Sequence, residues 1–303
     1  MYVVSNTEVS TRNLCERMHY YRFIKDDGGI EPSYLAINTP LGTGLLGHRA
    51  MEAYYLAVKD GGTVRDALAA AREVLQFEVI RLATEEPEQF EQLQRVVQLQ
   101  NLIEAYSNHY TNDTFKILEV EKVFTTSITQ DIFFGLRLDL LVEYTRGDLR
   151  GELAVWDHKF VYNFKTPAEI EMDSQLPKYI KALQDNNYPV RRGVFNQLRY
   201  RDMKDPTFEQ LFKRSKLSDP TKIEIETIWD EQASTAQKIA DIATGKKLAA
   251  PIRNQHILTC KHCYFQGLCK ADLMGTDTTQ MVKANFQANQ HRYTDYIDVG
   301  DAA

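Results

Sequence analysis

Two apolar stretches of this chain carry charged residues at positions where a buried strand normally has none. The first is Gly135-Leu-Arg-Leu-Asp139, and the second runs from Leu153 to Phe160 and contains Asp157 and Lys159. Both are rich in strand-favouring residues and predict two neighbouring strands of one sheet. Because residues two apart share a face of a strand, Asp157 and Lys159 point the same way and His158 points to the other side. A carboxylate and an amine are therefore held side by side.

The turn between these strands decides whether Asp139 joins the pair. A hairpin centred on residues 147–148 places Asp139 opposite Trp156 and next to Asp157, whereas a centre one residue earlier moves it away; we expect the first register. Two converging acids repel each other unless one is protonated or a cation lies between them. Oxygen ligands of this kind suit magnesium or manganese. The alternative is an exposed hairpin on which the charges only keep the sheet soluble.

Composition is typical of a soluble globular protein, with 303 residues, 43% hydrophobic and 26% charged. The first residues lack a basic stretch followed by an apolar one, and no apolar run is long enough to cross a bilayer, so we expect a cytoplasmic location. A net charge of -6 argues against coating nucleic acid by bulk charge but allows a local basic groove. The candidates for such a groove, which could equally form a solvated face, are Lys178, Lys181, Arg191, Arg192, Arg199, Arg201, Lys204, Lys213, Arg214 and Lys216.

His48 follows a glycine-rich segment, residues 41–47, that opens a predicted helix. Glu52 stands one turn later on the same side of that helix. One interpretation is a histidine paired with a nearby carboxylate. The other is a metal ligand, because neutral imidazole is the commonest protein ligand for metals.

The remaining pattern predicts a mixed sheet covered by helices. Residues 63–108 predict two helices that form an insertion packed against the sheet. Strands are expected over residues 116–127, 132–144, 151–162 and 189–200. A helix that starts at residue 173 or 174 carries Gln175 and Tyr179 on one side, since they are four residues apart.

Three of the four cysteines lie within ten residues near the end of the chain, at Cys260, Cys263 and Cys269. This spacing in an intracellular chain favours a metal over disulfides. Cys15, which alone predicts only a small buried residue within a helix over residues 10–24, could complete a set of four and tie the two ends of the chain together. The spacing suits an iron-sulfur cluster at least as well as zinc, and His262 could replace Cys15 in a zinc site.

Together these residues resemble the PD-(D/E)XK nuclease superfamily, in its RecB-like branch with an iron-sulfur cluster. That branch includes CRISPR-associated single-strand exonucleases, the AddB nuclease subunit and related phage exonucleases. The resemblance spans Cys15 to Cys269, apart from the helical sections 63–108 and 201–250. It implies an α/β fold, restriction-endonuclease-like, with a mixed central sheet flanked by helices, helical insertions, and a cysteine cluster that joins the terminal segments. We expect a single nuclease domain over residues 1–275, followed by a polar and mobile tail over residues 276–303.

The resemblance also implies roles for individual residues. The ligands of a magnesium or manganese ion would be His48, Asp139, Asp157 and the backbone carbonyl of His158. The other catalytic residues would be the motif lysine, Lys159, and the Gln-x-x-x-Tyr pair, Gln175 and Tyr179. The ligands of a 4Fe-4S cluster, with zinc as the second choice, would be Cys15, Cys260, Cys263 and Cys269. Asp157 stands where many superfamily members have glutamate, although aspartate is usual within this branch.

The function implied is metal-dependent DNA exonuclease activity on single strands or DNA ends, in recombination, repair or phage DNA metabolism. A helicase, a recombinase or a CRISPR adaptation complex are the partners that such a nuclease could have. The alternative is a DNA-binding accessory subunit of a recombination or CRISPR adaptation complex that cleaves little by itself.

Overall fold

The computed structural model describes residues 2–33, 37, 39–85, 90–111, 113–246, 251–254 and 256–289. The strands are β1 (Tyr2–Ser5), β2 (Ile30–Pro32), β3 (Phe115–Ser127), β4 (Ile132–Tyr144), β5 (Leu153–Val161), β6 (Arg192–Arg199), β7 (Phe212–Arg214) and β8 (Phe286–Ala288). The helices are α1 (Asn6–Leu14), α2 (Glu16–His19), α3 (Lys25–Gly28), α4 (Pro40–Lys59), α5 (Val64–Glu85), α6 (Phe90–His109), α7 (Pro167–Glu171), α8 (Gln175–Asp185), α9 (Phe208–Leu211), α10 (Lys222–Ala243), α11 (Ile257–Lys261), α12 (Gln266–Leu273) and α13 (Thr279–Asn285).

Two compact units divide the chain, and each is assembled from separate stretches. The larger contains residues 35–122 and 137–225, and the smaller contains residues 1–34, 123–136 and 226–303. Strands β3 and β4 contribute residues to both units.

The larger unit is built on a mixed sheet in the order β4-β5-β6-β7. Strands β4 and β5 are antiparallel, β5 and β6 parallel, and β6 and β7 antiparallel. One core joins buried residues of α4, α5 and α6 to residues on one face of the sheet, among them Ala154, Trp156, Val194 and Leu198. The predicted α/β fold with a central mixed sheet flanked by helices is confirmed.

The helices that flank this sheet approach it closely at two glycines. A Cβ atom added at Gly47 in α4 would lie 2.6 Å from the ring of Phe160 in β5, and one added at Gly193 in β6 would lie 3.0 Å from Leu176 in α8. Both distances are shorter than a normal contact between carbon atoms. The glycine-rich start of α4 therefore lets the residue that follows it, His48, come close to the strand that carries Asp157 and Lys159.

The register between β4 and β5 differs by one residue from the predicted one. Leu140, not Asp139, lies opposite Trp156. The connection is wider than a two-residue turn: Tyr144 and Glu152 are still joined by a backbone hydrogen bond of 3.0 Å, and a 3-10 turn over Gly147–Leu149 lies between them. Continued along the strands, the observed register brings Asp139 opposite Asp157.

The smaller unit contains β1, which runs parallel to the first residues of β4, and an antiparallel pair of short strands, β2 and β8. The N-terminal segment is not the single helix predicted over residues 10–24, because the helix begins after Ser5 and Cys15 interrupts it with extended backbone. Part of the predicted mobile tail forms α13 and β8, while residues 290–303 lie outside the described residues. Among the described residues, no helix is both long and apolar enough to cross a membrane.

Candidate active site

Three potential metal ligands from three elements of the larger unit converge on one point. They are His48 of α4, Glu121 of β3 and Asp139 of β4, and one donor atom of each lies within 4.8 Å of those of the other two. Nδ1 of His48 is 3.4 Å from Oδ1 of Asp139. One imidazole nitrogen and two carboxylates suit a divalent cation. His48 thus lies against Asp139, whereas the sequence offered Glu52 as its carboxylate partner.

Glu121 is the member of this group that the sequence analysis missed. The only available signal was an alternation of acidic residues on a predicted strand, Glu119 followed by Glu121, which is common on exposed sheet faces. The backbone of Glu121 has a φ of 45°, a conformation rarely adopted by residues other than glycine. Burial, together with the nearby Asp139 carboxylate, raises the pKa of Glu121 to about 8. A cation placed among these groups would relieve that repulsion.

A second group forms around Asp157 and Lys159, which share a face of β5. Nζ of Lys159 lies 2.7 Å from Oδ2 of Asp157, and it donates a hydrogen bond of 2.9 Å to Oε1 of Gln175. The amide nitrogen of Gln175 lies 2.7 Å from Oδ1 of Asp157 and 2.9 Å from the hydroxyl of Tyr179. The four residues therefore form one connected hydrogen-bonded group.

His158 connects this second group to the first through its backbone. Its N–H donates a hydrogen bond of 2.5 Å to Oδ2 of Asp139. Its imidazole points away into the core, where Nδ1 lies 2.9 Å from the amide nitrogen of Asn196 and the ring stacks on Tyr55 with the centroids 5.2 Å apart. Burial lowers the pKa of His158 to about 4, so the ring is neutral at neutral pH. The side chain packs in the core and the backbone positions Asp139.

Burial and mutual charge set the protonation of the site. Burial acts to lower the pKa of His48, but the Asp139 carboxylate outweighs it and raises that pKa to about 9. Burial opposes ionisation of Asp139 too, but His48 outweighs it and holds the pKa of that carboxyl well below its usual range. Burial raises the pKa of Asp157 to about 6, against the opposing effect of Lys159. Without a metal ion, His48 therefore carries the positive charge that a divalent cation would replace.

The four cysteines lie in the smaller unit and line one cavity of about 420 Å³. All four are free thiols. The backbone of Asn254 contacts two of them: its N–H donates to Sγ of Cys15 at 3.3 Å, and its carbonyl accepts from Cys260 at 3.4 Å. Burial raises the pKa of Cys263, and the neighbouring sulfurs of the other three add to the effect. Sequence-distant thiols are thus brought to one place.

The four thiols do not form a compact group of the size that a single zinc ion holds. Among the described residues, no three cysteine sulfurs lie within 4.8 Å of one another. A zinc ion with Zn–S bonds of about 2.3 Å holds its four sulfurs about 3.8 Å apart. His262, the possible replacement for Cys15, is exposed and does not line the cavity.

The basic residues that could line a groove differ in their surroundings in the structure. Several make ion pairs with carboxylates: Lys181 with Asp185, Arg192 with Glu152 and Asp219, and Arg214 with Asp113. Lys178 is buried. Of these four residues, three are therefore paired with carboxylates of the same chain and one is buried, so they do not line an open basic groove.

One family model matches nearly the whole chain. The sequence model of the PD-(D/E)XK nuclease superfamily matches residues 3–270. No curated protein matches the sequence. A solved structure described as "Crystal structure of SSO0001" is similar over 63% of this chain and 79% of its own, with 15% identity and a TM-score of 0.34.

Proposed function

The chain belongs to the PD-(D/E)XK nuclease superfamily, and on that premise we propose that it is a magnesium- or manganese-dependent DNA exonuclease of the RecB-like branch. The observation that carries the proposal is the hydrogen-bonded group of Asp157, Lys159, Gln175 and Tyr179, joined through the backbone of His158 to Asp139. A solubilising pair on an exposed hairpin would need none of these contacts, and Asp157 is only 3% exposed.

The metal ligands that we propose are His48, Asp139, Asp157 and the backbone carbonyl of His158, with Glu121 added from the geometry. When bound, a divalent ion polarises the phosphate and makes water a stronger nucleophile at neutral pH. The donor set fits such an ion, because it provides carboxylate oxygens with one imidazole nitrogen and no thiolate.

Lys159 supplies the positive charge of the reaction site. Burial acts to lower its pKa, but the Asp157 carboxylate outweighs it and raises the pKa of the ammonium group. Lys159 therefore stays protonated, orients the attacking water and stabilises the charge that develops on the phosphoryl oxygens. Gln175 accepts from Lys159 and donates to Asp157, so it holds both side chains in place. Tyr179, held by the same amide, positions the backbone of the strand that is cut.

Digestion of end-labelled DNA tests this function. Single-stranded and duplex substrates, with each end blocked in turn, are incubated with magnesium or manganese and either the wild type or Asp157→Ala. We expect metal-dependent loss of nucleotides from free ends by the wild type and none by the variant. Retained cleavage by Asp157→Ala would refute the assignment, and DNA binding without cleavage by the wild type would support an accessory subunit instead.

For the cysteine cavity we propose a structural 4Fe-4S cluster held by Cys15, Cys260, Cys263 and Cys269. The proposal is supported by four free thiols that line one cavity and by the spacing of three of them within ten residues of the chain. Protein purified without oxygen should be brown, with broad visible absorbance and about four irons per chain. A colourless protein with one zinc per chain would overturn the cluster.

A further inference from the structure

Arg199, the last residue of β6, holds its guanidinium against an aromatic ring. Its guanidinium lies 3.9 Å from the centroid of the Phe164 ring. Its Nε atom is buried and has no hydrogen-bond partner, and within the described ranges Arg199 makes no ion pair. By contrast, Arg192 and Arg214 on the same sheet are both ion-paired. A partly buried guanidinium in this state suits an anion from outside the chain.

The register of the sheet places Arg199 beside the candidate active site. Lys159 pairs with Gln197, and Val161 pairs with Arg199, in parallel strands. Paired residues and residues two apart share a face, so Arg199 lies on the face of Asp157 and Lys159. Two residues along a strand span about 7 Å, which is close to the spacing of neighbouring phosphates in an extended strand of nucleic acid.

The segment that follows β5 is anchored next to Arg199. The backbone N–H of Lys165 donates a hydrogen bond of 2.7 Å to the buried side chain of Gln197, and the ammonium group of Lys165 lies 4.6 Å from the ring centroid of Phe195. These contacts hold Phe164 under the guanidinium of Arg199. The pair is therefore a fixed feature of the surface.

A second aromatic and basic pair joins Tyr162, which follows β5, to Arg201, which follows β6. Tyr162 is 52% exposed, and the guanidinium of Arg201 lies 5.3 Å from the centroid of its ring. Tyr200 supports the ring from inside, with centroids 6.2 Å apart. Within the described part of the chain, Arg201 makes no ion pair with a carboxylate. An exposed aromatic ring beside free arginines is the composition of surfaces that bind single-stranded nucleic acid.

We propose that Tyr162, Phe164, Arg199 and Arg201 form a subsite that binds the nucleotides next to the scissile phosphate of a single strand. Arg199 binds a backbone phosphate, and the ring of Phe164 packs against the Arg199 guanidinium and fixes its position. Tyr162 stacks on an unpaired base. The subsite rests on the proposed nuclease function. It extends that function by selecting single-stranded over duplex substrates. In a duplex the faces of the bases are already covered by their neighbours, so only a single strand can use Tyr162.

Fluorescence anisotropy of the full-length protein in EDTA, where no cleavage occurs, tests the subsite. The probes are a fluorescein-labelled oligothymidylate, an abasic strand of equal length and a duplex. Tyr162→Ala should weaken binding of oligothymidylate by about tenfold and leave the abasic strand unchanged, because only the first probe has bases to stack. Arg199→Gln should weaken binding of both strands and reduce the slope of log K against log salt by about 0.7, the value for one phosphate contact.

Two further variants are the controls. Arg150→Gln removes one positive charge from the turn at the other end of β5, about 30 Å from Tyr162 along the strand, and should leave binding unchanged. Arg199→Lys should retain the salt slope of the wild type, which separates loss of charge from loss of fold. Equal effects of Arg150→Gln and Arg199→Gln, or equal losses by Tyr162→Ala on both strands, would overturn the subsite. A wild type that shows the expected binding pattern but cleaves nothing would refute the nuclease proposal and leave the subsite standing.

Discussion

The carboxylate site of the larger unit and the cysteine cavity of the smaller unit are built in opposite ways. In the first, the groups are already joined to each other: Gln175 bridges Asp157, Lys159 and Tyr179, and the backbone of His158 holds Asp139. In the second, no hydrogen bond between two cysteines is found in the described part of the chain, and two of the sulfurs contact the backbone of Asn254.

The secondary-structure elements that carry the two sites also differ in length and in packing. The carboxylates lie on strands of 13 and 9 residues within a large core, whereas the three clustered cysteines lie on or beside helices of 5 and 8 residues. Helices this short are marginal without tertiary contacts. The comparison indicates that the carboxylate site is preorganised by hydrogen bonds within the protein, whereas the four thiols are brought together without being joined to one another.

The largest effect expected from breaking the preorganised site is on catalysis. Lys159→Ala should lower the rate of DNA cleavage by about a thousandfold or more, because a positioned charge is lost from the transition state. The rate is measured with end-labelled DNA at saturating metal, and thermal melting checks the fold. Lys116→Ala, which removes an exposed lysine from β3 of the same sheet, should cleave normally. Normal cleavage by Lys159→Ala would show that the hydrogen-bonded group around Asp157 and Lys159 has only a structural role.

The pH dependence of metal binding is the next largest effect. His48 and Glu121 have pKa values raised to about 9 and about 8, so both hold protons at neutral pH that a metal ion must displace. Affinity for Mn²⁺, measured by calorimetry, should therefore rise by at least about tenfold per pH unit from about pH 6 to about pH 8. Proton release is checked in buffers with different ionisation enthalpies. An affinity independent of pH would mean that His48 is neutral and Glu121 is ionised in the metal-free protein.

A smaller effect is expected for Glu121, the ligand that the sequence analysis missed. Glu121→Gln should weaken Mn²⁺ binding by about tenfold, because one anionic oxygen is lost from the donor set. Glu119→Gln is the matched control: it lies two residues earlier on β3, where the carboxylate pairs with Lys59 and Lys122. Equal metal affinities for the two variants would show that Glu121 is not a ligand of the metal ion.

The smallest effect expected is on stability, and it concerns the cysteine cavity. Cys263→Ser should lower the melting temperature of the iron-loaded protein by about 5–10 °C, since binding free energy of a structural cofactor contributes to folding. Wild type depleted of iron should melt at the same temperature as the variant, and depletion should not lower the melting temperature of the variant further. An additional loss on depletion would show that Cys263 stabilises the unit without a cofactor.

Features of local structure, such as helix caps and the residues that share one side of a helix, could be predicted because they depend on residues a few positions apart in the chain. The sequence Thr63-Val-Arg-Asp66 has the spacing of a capping box, and this cap is present at the start of α5: the N–H of Asp66 donates to the hydroxyl of Thr63 at 3.3 Å, and the Asp66 carboxylate accepts from the N–H of Thr63 at 2.8 Å. The position of α8 and the shared side of Gln175 and Tyr179 also follow from spacing alone. The offset between β4 and β5 was wrong by one residue, because a connection with its own 3-10 turn can close a hairpin at more than one register.

The sequence by itself determined the α/β class, the shared face of Asp157 and Lys159 and the cysteine spacing, since each depends on periodicity or on short-range order. Only the tertiary structure decided that Glu121 lies with His48 and Asp139, and that Arg214 makes an ion pair whereas Arg199 makes none with the residues that the structure describes. These outcomes depend on which side chains meet across strands and helices distant in sequence. The energy of a charge depends on its neighbours and its burial, and neither can be read from one position in the chain.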